Sequence, residues 1–375
     1  MRRPTRCRVK GVVLGGSLER GLDTSARVGL RLPTRAVRMR YDDVALAGLS
    51  AELPSVVLRT ADVEERLRPL YRRLGFTPGW VEAVTGIAER RMWAPGERFV
   101  DGAVRASRRA LVQARVDPRC VQAVISCSVY KDRLEPSLAC EVQGALGIPY
   151  TAVNFDVANA CLGFLTGLVT VANMISVGQI ECGLVVASED AGPVLEATLR
   201  QLEAPGADIH GFKAHLATLT LGSAAAAAVV TRASLVPGPR LLGGASLSAT
   251  EHRQLCMGDA RGMQTDSVQL LREGVALASR TWSEVRETLG WSGEDVSMFA
   301  MHQVGKAHHD AVTRALQVEA ARSPPVYGWL GNVGSCGVPV TASTIRDRGL
   351  VRAGESVALM GIGSGLNCMM LGLKL

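Results

Sequence analysis

The sequence predicts an α/β protein built from two similar halves, with strands buried between layers of helices. Three observations carry this. Strand-like and helix-like patterns alternate along the chain, which points to layered α/β packing. The central strand patterns, VQAVISCSV (121–129) and CGLVVASED (182–190), are nearly unbroken apolar runs, as expected of a sheet covered on both faces. Each half ends on two adjacent strand patterns, 218–233 in the first and 355–373 in the second. No residue-level repeat exists, so the likeness lies in the order of elements. A single α/β domain of another topology is the alternative.

In order, DDVALAG (42–48) is the first expected strand. TADVEERLRPLYRRLG (60–75) follows as a helix capped by Thr60, with Leu67, Leu70, Tyr71 and Leu74 on one face. A second amphipathic helix spans 98–116, and 121–129 is a buried strand. A short helix over 136–147 stops at Gly147, and TAVNFDV (151–157) is a strand. The segment 161–178 is apolar nearly all round, which marks a central helix. After the strand 182–190, the region 193–217 is helical and broken by PGAD at 205–208. TLTLGSAAAAAVVTRA (218–233) reads as a strand, a glycine turn and a strand. The second half restarts near 240, with a long helix in 265–290, a strand over 296–304 ending at a histidine, a helix over 308–318, and the closing strand pair 355–373.

Hydrophobic residues make up 47% and charged residues 21% of the 375 residues, enough for a large folded core. Aromatics are only 4%, so that core is aliphatic. The net charge of +7 comes from one end: residues 1–40 hold 11 basic and 2 acidic residues, and the rest hold 31 basic and 33 acidic. The nearly neutral body argues against nucleic acid as a partner. Residues 1–38 are expected to be a basic, flexible extension or to reflect an upstream start codon. The two halves then cover 39–235 and 240–375. No run is long and apolar enough to predict a membrane span. Nine cysteines lack any CxxC pair. Cys120, Cys127, Cys182 and Cys368 read as core thiols in a reducing, cytoplasmic setting.

Cys161, in NFDVANACLGFLTG, falls where a strand hands over to a helix. Unpaired N–H groups at that junction would favour the thiolate and hold an oxyanion. A core thiol fits the same apolar surroundings. Among six histidines, His302 ends an apolar strand where packing would prefer an aliphatic residue. Among five asparagines, Asn332 lies between glycines in LGNVG. That stretch is a turn, and it is also able to aim an amide into a cleft. Spacing alone does not bring the three together. His308-His309 has no further ligand at a familiar metal spacing, so no metal is expected.

The motifs SCSVYKDRLEPS (126–137), NFDVANACLGF (154–164), TLTLGSAAA (218–226), MHQVGKAHH (301–309), GNVGSCGVP (331–339) and MGIGSGLNC (360–368) together resemble the thiolase superfamily. The branch is that of the β-ketoacyl-ACP synthases III, and within it the OleA group of acyl-CoA-condensing enzymes. The resemblance covers about residues 41–375 and implies a thiolase-like fold, layered αβαβα. It implies that Cys161 is the acylated nucleophile and that His302 and Asn332 stabilise the oxyanion and the enolate. Glu135 matches the group's base, supplied to the partner subunit, and Gly363 lies in the glycine turn beside the nucleophile. Leu162, Phe164 and Leu165 are expected to wall an acyl channel, with central packing as the alternative. The implied substrates are acyl-CoAs, with no cofactor. The implied assembly is a homodimer, a related non-identical partner being the alternative, with downstream pathway enzymes as further partners.

The implied reaction is a non-decarboxylative Claisen condensation giving a 2-alkyl-3-oxoalkanoic acid, toward olefin or β-lactone products. A simple thioester loses its α-proton with no carboxylate loss to drive the step, so a placed base is needed. The alternatives are a decarboxylating synthase III acting with a carrier protein, an acyltransferase to an alcohol or amine, and a non-enzymatic subunit. Leu330-Gly331-Asn332 departs from the His-Gly-Asn of the group.

Overall fold

The computed structural model describes residues 36–375. Most of the expected extension therefore lies outside the described residues. Its end does not: Val37–Arg40 is a strand paired antiparallel with Arg240–Ser248, so Val37 and Arg38 belong to the fold.

A 10-stranded sheet runs in the order Met298–Met301, Ser356–Gly363, Asn367–Lys374, Arg240–Ser248, Val44–Glu52, Ala224–Arg232, Cys182–Glu189, Ala123–Ser126, Val153–Asp156, with Val37–Arg40 added on Arg240–Ser248. The path narrows to a single pair, Ala45 with Arg240, where the halves meet. The same pattern recurs on either side of that pair. In the first half, Ala123–Ser126 lies parallel to Cys182–Glu189, which is antiparallel to Ala224–Arg232, itself antiparallel to Val44–Glu52. In the second, Met298–Met301 lies parallel to Ser356–Gly363, which is antiparallel to Asn367–Lys374, itself antiparallel to Arg240–Ser248. The likeness expected from element order is a likeness of sheet topology.

The layers follow from which faces are apolar. Helices Gly163–Ser176 and Gly337–Asp347 share one apolar cluster with the inner faces of both sheet halves. Helices Phe99–Ala114 and Leu138–Leu146 cover the outer face of the first half, and Ser267–Leu289 and Lys306–Ala315 cover that of the second. The result is αβαβα. The strand Cys182–Glu189 is buried throughout, and the alanine run of Ala224–Arg232 lets helices approach both its faces. A separate cluster joins the helical segments of 60–85 to Gly192–Glu203 and Ile209–His215.

Several expectations are corrected. The helix over 60–75 breaks at Leu67 into Thr60–Arg66 and Arg68–Leu74, because Pro69 has no N–H to continue the ladder. Thr60 does not cap it; its hydroxyl donates to the Ile87 carbonyl and Arg59 holds the cap position. The segment 218–233 is not a strand pair. Thr218–Thr220 is one short turn, and Asn332 takes its backbone groups: Asn332 N–H donates to Thr220 O at 2.8 Å, and Gly222 N–H donates to Asn332 O at 2.9 Å. Val153–Asp156 is an exposed edge strand. Cys120 is exposed, whereas Cys127, Cys182 and Cys368 are buried. The antiparallel pairs Val56–Arg59 with Glu89–Met92 and Cys256–Asp259 with Gly262–Thr265 carried no sequence signal strong enough to find them. Among the described residues no helix is long and apolar enough to cross a membrane.

Candidate active site

Cys161 sits in the short turn Ala160–Leu162 that leads into the helix Gly163–Ser176. Ala160 holds φ 44°, a left-handed conformation that is costly for a residue with a side chain, so the turn is held in place by its surroundings. The expected set of free helix N–H groups is not there. Leu162 N–H donates to Asn159 O, Gly163 N–H to Ala160 O, and Phe164 N–H to Ser335 Oγ at 2.9 Å. Nor is the thiolate favoured. Burial pushes the Cys161 thiol up to about 12, and Glu189 and Cys256 add to this, while only its own N–H pulls it down. At neutral pH the resting residue is therefore a thiol, and its proton must be taken before it can attack.

His302 follows the strand Met298–Met301, tied by its N–H to Met360 O at 2.8 Å. It is buried, and among the described residues neither ring nitrogen has a hydrogen-bond partner. Burial, with His308 second, pushes its pKa down to about 3, so the imidazole is neutral at physiological pH. A neutral ring keeps one donor and one acceptor nitrogen. Its position depends on Gly337, where an added Cβ would lie 2.4 Å from His302 Nδ1. Gly337→Ala is expected to displace the ring and cut turnover about 100-fold, the scale for a misplaced group. Steady-state kinetics, with Cys161 still open to alkylation, checks this.

Asn332 is buried and its amide is oriented: Gly334 N–H donates to Oδ1 at 3.0 Å, so Oδ1 is occupied and the amino group is the free end. Gly363 packs on the nucleophile's backbone, since a Cβ there would lie 3.2 Å from Cys161 N. Cys161, His302, Asn332 and Gly363 line one cavity of about 220 Å³. Its other walls are largely apolar, among them Val84, Leu216, Met263, Leu270, Leu271, Val304 and Ile362. A thiol, a neutral imidazole and an oriented amide in an apolar cavity suit acyl transfer with stabilisation of a carbonyl oxygen. Among the described residues no group of three His, Cys, Asp or Glu side chains could hold a metal ion.

The other expected residues lie elsewhere. Leu162, Phe164 and Leu165 are fully buried in the central cluster and line no part of this cavity. The reason is Gly361: a Cβ there would lie 2.5 Å from Leu162 Cδ2 and 2.9 Å from Leu165 Cδ1, so these side chains fill the space that strand leaves open. Glu135 is exposed, on the loop before the helix Leu138–Leu146, and is not among the residues lining its own chain's cavity.

Sequence reasoning missed His308 and Cys256, which also line the cavity. Burial pushes His308 down to about 4, so it too is neutral at physiological pH. Ser364 Oγ donates to Cys256 Sγ at 3.2 Å. The second histidine was visible in MHQVGKAHH, but nothing in its spacing marked a cavity wall. The lining Met263 and Thr265 come from a strand pair the sequence did not disclose.

Residues 99–236 match the thiolase N-terminal domain family, and residues 287–374 match the 3-oxoacyl-[acyl-carrier-protein] synthase III C-terminal family. The acyl-CoA:acyl-CoA alkyltransferase of Shewanella oneidensis is 39% identical over 90% of this chain and 100% of its own length. That of Xanthomonas campestris is 39% identical over 88% and 98%. A β-ketoacyl-[acyl-carrier-protein] synthase III of Symbiobacterium thermophilum is 26% identical over 88% of this chain and 97% of its own. Among solved structures, Xanthomonas campestris OleA with bound lauric acid and lauroyl-CoA superposes with a TM-score of 0.87 at 38% identity, covering 89% of this chain and 100% of that one. Other crystal structures of the same protein carry substitutions at one cysteine, one histidine and one glutamate.

Proposed function

The chain belongs to the thiolase superfamily, in the ketoacyl synthase III-like branch with the acyl-CoA:acyl-CoA alkyltransferases, and from that premise we propose that it joins two acyl-CoAs in a Claisen condensation without decarboxylation. It is a condensing enzyme of that superfamily; the substrates and the roles of individual residues are the proposal. The observation that carries it is the convergence of Cys161, His302, Asn332 and Gly363 on one apolar cavity.

In the first step Cys161 Sγ attacks the thioester carbon of one acyl-CoA. His302, neutral at rest and lining the same cavity, accepts the thiol proton. The bond to the CoA sulphur breaks and CoA leaves as a thiol. In the second step a base takes the α-proton of another acyl-CoA. His302 and the Asn332 amino group donate to the enolate oxygen, and the α-carbon attacks the carbonyl carbon of the acyl-cysteine. The bond from that carbon to Cys161 Sγ breaks, the cysteine leaving as a thiolate that takes a proton back to the resting thiol. The 2-alkyl-3-oxoacyl-CoA that forms is then hydrolysed to the 2-alkyl-3-oxoalkanoic acid. The bound lauric acid and lauroyl-CoA of the Xanthomonas protein, and its variants at a cysteine, a histidine and a glutamate, match the substrate class and the residue types in this reading.

The base is Glu135 of a second copy. Val129 and Leu134, on the loop that bears it, are 53% and 90% exposed; Val153 and Phe155 on the edge strand and Tyr150 beside it are exposed too. An uncovered strand edge flanked by apolar side chains favours pairing with another chain. Two copies joined there would each lend a Glu135 to the other. A homodimer supplies this, as would a related partner chain.

Incubation with a single long-chain acyl-CoA tests the reaction: self-condensation is expected without malonyl-CoA or an added nucleophile. A product that forms only with a malonyl group would point to the decarboxylating alternative. The channel has its own test. Leu270→Trp adds bulk to a cavity wall, and activity on long chains is expected to fall about 10-fold or more relative to short ones. Leu165→Ala is expected to cost about 2–5 kcal/mol of stability in denaturant unfolding and to leave chain preference in place.

A further inference from the structure

Glu189 ends the strand Cys182–Glu189 and is only 5% exposed, yet no step above uses it. It forms no ion pair among the described residues. Its oxygens are met instead by backbone donors from two loops. Oε1 accepts from Val129 N–H at 2.9 Å and from Ser335 N–H at 3.2 Å; Oε2 accepts from Tyr130 N–H at 2.9 Å. Ser335 carries the link further, because its Oγ accepts Phe164 N–H at 2.9 Å, in the first turn after Cys161. Gly334, whose N–H orients the Asn332 amide, is packed so closely that a Cβ on it would lie 3.1 Å from Glu189 Cδ. The thiols Cys127, Cys161 and Cys336 all feel its charge.

Two segments thus meet at one carboxyl group, the turn that carries Asn332 and the root of the loop that carries Glu135, and the helix that starts at the nucleophile is tied to them through Ser335 Oγ. A buried carboxylate without a cation is costly, so its three N–H donors are what hold it there. We propose that Glu189 is the positioning residue of this site, fixing the Asn332 turn against the Cys161 helix and anchoring the base-bearing loop. The proposal rests on the reading of Cys161, Asn332 and Glu135 given above. The carboxylate has a second effect. Its charge opposes a thiolate at Cys161, so the nucleophile stays protonated until a base acts on it. Burial pushes Glu189 itself up to about 7 against the pull of its three donors, so it carries charge above neutral pH.

The test is Glu189→Gln, which keeps the shape, removes the charge and turns one acceptor into a donor facing an N–H. Alkylation of Cys161 by iodoacetamide, followed by peptide mass spectrometry across pH, needs no acyl-CoA. Its midpoint is expected to move down by about one pH unit, because a neighbouring negative charge has gone. Condensation is expected to fall about 10- to 100-fold, the scale for groups displaced around a reacting centre. Glu189→Asp restores the charge but is too short for both loops, so it should return the alkylation profile and leave condensation low. A Glu189→Gln protein with the wild-type alkylation profile and condensation within about twofold would overturn the proposal, as would one altered only in thermal stability. Should Glu189→Gln not fold, Ser335→Ala breaks only the link to Phe164. Condensation is then expected to fall about 10-fold, the scale of one lost hydrogen bond, with the alkylation profile unmoved, and wild-type turnover would overturn the proposal. If the wild-type protein does not condense acyl-CoAs, the functional reading fails and the alkylation profile still judges Glu189.

Discussion

Replacing Cys161 by alanine is expected to abolish acyl-enzyme formation and to lower condensation by about 10,000-fold or more, since the covalent intermediate forms on its sulphur. Cys256 lines the same cavity, and its sulphur accepts a hydrogen bond from Ser364 Oγ. An acyl adduct on Cys256 in the Cys161→Ala protein would therefore count against the assignment. The protein should keep its stability, because the change removes a single sulphur atom that, among the described residues, has no disulfide partner. Mass spectrometry of the protein after exposure to acyl-CoA reads the first result, and product formation the second.

The second large effect falls on Glu135. Glu135→Ala is expected to leave Cys161 acylation measurable and to cut condensation about 100-fold, the scale for one general base. Its exposure in the single chain makes a sharper experiment available. A chain carrying Glu135→Ala and a chain carrying Cys161→Ala are each expected to keep about 1% of wild-type activity or less on their own. Mixed dimers regain one site, with the cysteine of the first chain and the glutamate of the second. Random mixing by co-expression should restore about a quarter of wild-type activity, as symmetry of a two-site dimer requires. No recovery would show that Glu135 serves its own chain's cavity or none.

Much of this was legible in the sequence, for a physical reason. His302 and Asn332 stood out because a polar residue inside an apolar strand, or between glycines in a turn, needs a reason to be there. The structure puts both on the wall of the cavity that holds Cys161. The layered fold was legible because central strands buried on both faces write themselves as apolar runs. The channel was not. A helix that is apolar all round does not say which face meets a ligand, and Leu162 and Leu165 turn out to answer a glycine, Gly361, almost two hundred residues away in sequence. The alanine run misled in the same way: periodicity could not show that the turn before it pairs with the Asn332 backbone. The ionisation of Cys161 was also out of reach. Its position at a helix start suggested a thiolate, but the first N–H groups are already bonded, and burial and Glu189 hold the proton on. Glu135 came from family resemblance alone, because an exposed carboxylate on a loop looks like any solvated one.

The central claim is that Cys161 carries an acyl group that a second acyl-CoA, not a malonyl group, then removes by carbon–carbon bond formation. A chase experiment measures this directly. The protein is loaded with one acyl-CoA, freed of excess, and mixed with an acyl-CoA of different chain length, with rapid quenching and peptide mass spectrometry of the cysteines. The expected result is an acyl adduct on the Cys161 peptide that decays as a crossed 2-alkyl-3-oxo acid appears, at matching rates and without malonyl-CoA. An adduct that persists until malonyl-CoA is added, or a crossed product formed with no adduct on Cys161, would contradict it.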